Sequence, residues 1–115
     1  QLGAALYRLS GVVLGGAVTA LGPPSLRLQY MGAVARIYTM FHVVCQNPSN
    51  ISGDTIISIT GDSGTAVTLT ISASADPLTG YEATATGALT VASMSYLTFR
   101  ITQDGGHLFN QLEAA

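Results

Sequence analysis

The sequence predicts an all-β fold: an antiparallel β-sandwich, jelly-roll-like, with about seven or eight short strands and an N-terminal hairpin or arm. Three observations carry this. The first is strict alternation between Asp54 and Thr102, clearest in Val67-Thr68-Leu69-Thr70-Ile71-Ser72 and repeated in Leu97-Thr98-Phe99-Arg100-Ile101-Thr102. A two-residue period is that of a pleated strand with one buried face. The second is a cluster of turn residues every ~8–12 positions. The third is the lack of a normal-length helical period anywhere in the 115 residues.

The elements follow in order. Leu6 to Leu14 and Ala17 to Leu21 flank Gly15-Gly16, a two-residue hairpin signal, and Pro23-Pro24 ends the unit because proline donates nothing to a ladder. Residues 1–24 are therefore read as an arm or hairpin, and residues 25–105 as the sandwich. Leu26 to Gln46 is the longest run without a strong breaker, with a bend expected at Gly32. Beyond it Ile37, Phe41, Val43 and Cys45 share one parity and are assigned to the core. Arg36, Tyr38, Met40 and His42 share the other parity, too apolar for plain solvent, and are assigned to an interface. Asn47-Pro48-Ser49-Asn50 turns the chain. Strands follow over Asp54–Thr60 and Val67–Ala73, with Gly61-Asp62-Ser63-Gly64 between them. Asp76-Pro77-Leu78-Thr79-Gly80 is a turn, with Pro fixing φ and Gly closing it. Tyr81 to Val91 is a strand interrupted at Gly87, and Tyr96 to Thr102 follows a turn at Ser93-Met94-Ser95. Residues 106–115 are read as a tail or short helix, presenting Leu108 and Phe109 to a partner. The predicted core is completed by Ile57, Leu69, Ile71, Leu97, Phe99 and Ile101.

Composition narrows the function. Hydrophobic residues are 48%, so the chain is not of disordered type. Charged residues are only 9%, against ~25% in an average domain. There is no lysine, and the net charge is −2. Four scattered arginines give no basic track for nucleic acid or for an anionic membrane surface. The apolar stretch from Leu9 to Leu21 is too short for a spanning helix and is broken by Gly11, Gly15 and Gly16. Because the numbered chain starts at Gln1, an initiator or longer leader is expected before it. One cysteine, Cys45, forms no intrachain disulfide, which fits synthesis in a reducing cytoplasm. A soluble domain ordinarily covers itself with mixed charge. Thr and Ser in that place point to a scaffold inside an assembly.

The strand order resembles a known group of domains. Gly32-Ala33-Val34-Ala35-Arg36-Ile37-Tyr38 opens a strand; Thr68-Leu69-Thr70-Ile71 follows; Ala85-Thr86-Gly87-Ala88-Leu89-Thr90-Val91-Ala92 and Tyr96-Leu97-Thr98-Phe99-Arg100-Ile101-Thr102-Gln103-Asp104-Gly105 close the domain. This is similar to small β-sandwich domains of tailed-bacteriophage virion proteins, of the head-fibre, decoration or tail-fibre type. Met94-Ser95 stands where those domains often have Gly-Asp. The resemblance implies a non-enzymatic structural subunit, homotrimeric, on the virion surface. It implies contact with other virion proteins such as the major capsid protein, and no cofactor.

No residue pattern gives a catalytic site. His42 and Cys45 are three apart, on opposite faces of a strand, so they form no thiolate–imidazole pair. His42, His107 and Cys45 give no zinc-ligand spacing. The acids are mostly turn residues, and no EF-hand spacing or identifiable carboxylate pair supports calcium binding or glycoside hydrolysis. Asn50, Asp62 and Asp76, in polar loops, are the candidate ligand-loop residues, and Asn50-Ile51-Ser52 is formally a glycosylation sequon. With several tyrosines, these loops raise the rival reading of a glycan- or receptor-binding module of a fibre or adhesin.

Overall fold

The structure, a computed structural model, describes residues 6–9, 12–15, 26–46 and 51–115. All regular structure among them is β: β1 (Leu6–Leu9), β2 (Val12–Gly15), β3 (Leu26–Gln29), β4 (Arg36–Gln46), β5 (Thr55–Thr60), β6 (Val67–Ile71), β7 (Tyr81–Val91), β8 (Tyr96–Gln103) and β9 (Leu108–Ala114). They form a five-stranded sheet of order β2-β1-β9-β4-β7 and a four-stranded sheet of order β3-β8-β5-β6. All pairings are antiparallel except that of β1 with β9, which is parallel. A single core cluster draws on both sheets: Tyr38, Phe41, Val43, Leu89, Val91 and Leu112 from one, Ile57, Ile59, Leu69, Ile71, Leu97 and Phe99 from the other. Alternating burial in β5 and β6 is the physical origin of this layer, since each apolar side chain withdrawn from water contributes about 1.5–3 kcal/mol.

Four expectations are corrected. The count is nine strands among the described residues, rather than seven or eight. The run Leu6 to Leu14, expected as one arm, instead holds two strands that pair antiparallel, from Leu6↔Gly15 to Leu9↔Val12; Gly16 and the expected second arm, Ala17 to Leu21, lie outside the described residues. The segment after Gly106 is a strand and not a short helix. A helix of so few residues has little stability of its own, whereas β9 pairs with β4 from Phe41↔Ala114 to Gln46↔Leu108 and buries Leu112 and Ala114.

The fourth correction concerns β4. Ile37 is 59% exposed and Tyr38 is fully buried, the reverse of their assignment. The register slips between Tyr38 and Met40: two steps along β4 match three along β7, from Tyr38↔Leu89 to Met40↔Thr86. The slip reverses the parity of β4, so Thr39 and Met40 both face out and Phe41 returns to the core. The N–H groups of Thr39 and Met40 both donate to the carbonyl of Ala115, at 2.9 and 3.1 Å. A β-bulge of this kind re-aims the side chains on either side of it. Ile101, another predicted core residue, is half-buried against the cluster. The predicted turn at 47–50 lies outside the described residues.

Candidate functional site

The two sheets present different outer faces. On the four-stranded sheet, cross-strand rows run Arg27–Thr98–Thr60 and Arg100–Ser58–Thr68, with Ile56 beside Thr70 and Gln29 beside Tyr96. The only charges in these rows are Arg27 and Arg100, and the Arg27 guanidinium lies 4.3 Å over the Tyr96 ring. The rest of the face is chiefly hydroxyl, and Thr60, Thr68, Thr70 and Thr102 are exposed. Covering such side chains costs far less than covering Lys or Glu, because no full charge loses its water.

The five-stranded sheet carries the most concentrated polar chemistry. His42 on β4 pairs in register with Thr84 of β7 and Glu113 of β9. Its Nδ1 is 3.2 Å from Glu113 Oε1, and its Nε2 meets Glu82 Oε1. Carboxylates only accept, so both contacts are hydrogen bonds when the ring carries two protons. The three side chains are half-buried, and Arg8 of β1 is the register partner of Glu113. Sequence reading missed this trio because Glu82 and Glu113 are distant in the chain and only the sheet order brings them to His42. Both imidazole nitrogens are engaged by carboxylates, which leaves neither one aimed at a substrate. Beside the trio, Met40, Phe41, Thr84 and Ala115 help line a hollow of about 270 Å³.

His107 is different in kind. It is 1% exposed. Its Nε2 donates to the Ser72 carbonyl at 2.9 Å, which leaves Nδ1 to accept from the Thr55 hydroxyl at 2.6 Å. The Thr55 oxygen in turn accepts from the Gly105 N–H at 2.9 Å. The Tyr81 ring stands edge-on at 5.2 Å. Every polar atom of the imidazole is thus paired, and the network ties β5, the end of β6 and the approach to β9 together.

The other predicted site residues are dispersed. Tyr38 belongs to the core, with the Arg36 guanidinium 5.1 Å above its ring. Met40 is 60% exposed. Leu108 and Phe109 lie on β9, facing Gln46 and Cys45 in register, with side chains outside the described set. Asn50 is outside the described residues. Asp62 accepts from the Ala92 N–H and the Ser95 hydroxyl, both at 2.7 Å, and these bonds hold its carboxyl below the usual range. Asp76 accepts from the N–H groups of Leu78 and Thr79, with the same effect. Both acids therefore serve turns. Burial pushes the Cys45 thiol up to about 12, so it stays a protonated, small apolar group. No group of three or more metal-ligating side chains converges among the described residues.

No family model, curated protein or solved structure matches the chain.

Proposed function

We propose that the protein is a non-enzymatic structural subunit of a tailed-phage virion. In this reading it is a homo-oligomeric, trimeric surface domain that decorates or cements the capsid or forms part of an appendage, in contact with the major capsid protein. The observation that carries the reading is the outer face of the four-stranded sheet: rows of Ser and Thr, two arginines and no lysine, a surface cheap to cover with a neighbour. The strand order supports it. Strands β1, β9, β4 and β7 lie side by side in one sheet and β3, β8, β5 and β6 in the other, the interleaving of a jelly roll. The parallel pairing of β1 departs from a purely antiparallel jelly roll. Light scattering coupled to size exclusion tests the assembly, with a trimer expected; electron microscopy of the assembled particle tests the location. A monomer at every concentration would reject the reading.

One observation favours a second reading, the glycan-binding module. A cleft of about 410 Å³ at one end of β6 is lined by hydroxyls, including Thr70, Ser72, Ser74 and Thr79, with Tyr81 beside them. Binding on a glycan array that Tyr81→Ala abolishes would shift the assignment to it.

A further inference from the structure

The five-stranded sheet ends on β7, and among the described residues the backbone pairings on the outward edge of that strand lie near its ends. Thr90 exchanges backbone hydrogen bonds with Ser63, at 3.0 and 3.4 Å. A Cβ on Gly64 would stand 2.2 Å from the Ala88 carbonyl oxygen, so the chain is packed against β7 there. At the other end Gly80 pairs with Asp76, each N–H donating to the other's carbonyl at 2.8 Å. Between these points, over residues 82–86, β7 has no strand partner on that side among the described residues. An open row of N–H and C=O groups is a template for another strand. Sheets commonly defend such edges with lysine, proline or shortness. Tyr81–Val91 contains no lysine and no proline and is, with β4, the longest strand of the fold. Clefts of about 510 and 410 Å³ lie at the two ends of the open stretch, between β7 and residues of β6 and its flanking loops.

We propose that a second copy of this chain adds its own β7 to this edge, antiparallel, across a twofold axis at Thr84. This rests on the assembling-subunit reading and adds to it a contact between trimers, since a twofold contact joins two copies and does not close a ring of three. The sequence of the edge is self-compatible in that register. Thr84 faces Thr84, Ala83 faces Ala85, and Glu82 faces Thr86. The two Glu82 carboxylates then stand roughly 13 Å apart along the strands, beyond the screening length at physiological salt. A parallel, in-register pairing would set Glu82 against Glu82, and like charges directly opposite destabilise a strand pair. Ala83 and Ala85 are small, which lets the two backbones close without displacing the half-buried inner face.

The test uses the full chain. Thr84→Cys places two thiols directly opposite each other, within disulfide reach, while the native Cys45 is buried. Mild oxidation should give a covalent dimer from Thr84→Cys and none from Ala33→Cys in the exposed bend before β4. In sedimentation, Thr84→Lys/Thr86→Lys should weaken self-association by about tenfold or more through facing charges, and Ala33→Lys, in the exposed bend before β4, should leave it unchanged. Equal cross-linking of the two cysteine variants, or association indifferent to the paired lysines, overturns the edge contact and leaves the assembly reading standing. A wild-type monomer at every concentration overturns both. Cross-linking by oxidation reports on the edge even if the lysine variant fails to fold.

Discussion

His107 stands just before β9 and His42 lies on β4, and their rings are held by opposite kinds of partner. His107 is sealed inside, with one ring nitrogen on a hydroxyl and the other on a carbonyl. His42 lies on the outer face between the carboxylates of Glu82 and Glu113. The first arrangement, one donor and one acceptor, fixes the tautomer of the ring; the second sets an acceptor against each nitrogen. Only the first leaves buried polar atoms orphaned when the ring is removed. Burial, rather than the number of contacts, therefore decides which histidine holds the fold together.

The sharpest way to break the contrast is His107→Ala. It opens a cavity and strands the Thr55 hydroxyl and the Ser72 carbonyl, so a loss of about 3–4 kcal/mol is expected in denaturant unfolding. Thr55→Val keeps the shape and removes the oxygen that serves both His107 and the Gly105 N–H; about 2 kcal/mol should follow. His42→Ala should cost only about 1 kcal/mol, because its partners remain half in water. A loss as large as that of His107→Ala would refute the distinction. The smallest effect concerns Cys45, which pairs in register with Tyr81, the residue whose ring stands edge-on to His107. Its folded pKa, about 12, is raised above the ordinary value of 9.0. The unfolded thiol ionises first, so the contribution to stability is complete below pH 9 and is lost as pH rises toward 12. Cys45→Ala should flatten that alkaline decline, and alkylation of Cys45 at neutral pH should be slow in the wild type and faster in His107→Ala.

Much of the fold was legible because β5, β6 and β8 carry one apolar face each, and a two-residue period leaves little choice of which side goes in. Phe41, Val43, Ile57, Leu69, Ile71, Leu97 and Phe99 are buried as their parity indicates. Three features were not legible. The parity of β4 depends on a register slip set by its neighbours, and Ile37 and Tyr38 are both apolar enough to fill either side. The strand at β9 depends on a free edge of β4, which no local pattern encodes. The trio at His42 depends on sheet order alone. The turn acids were legible by contrast, since Asp62 and Asp76 bind backbone within their own or adjoining loops. The Met94-Ser95 departure also shows its consequence: Met94 has φ +65°, a left-handed conformation that glycine adopts without strain.

The bulge in β4 has a consequence for the order of synthesis. The amides of Thr39 and Met40 are both satisfied by the carbonyl of Ala115, just past β9. During translation β4 emerges early and has no local instruction on whether Ile37 or Tyr38 should point inward. That decision waits for β7, against which the register slips, and for the end of β9. A nascent chain can pair β5 with β6 first, while β4 remains uncommitted about which of its faces is the inside.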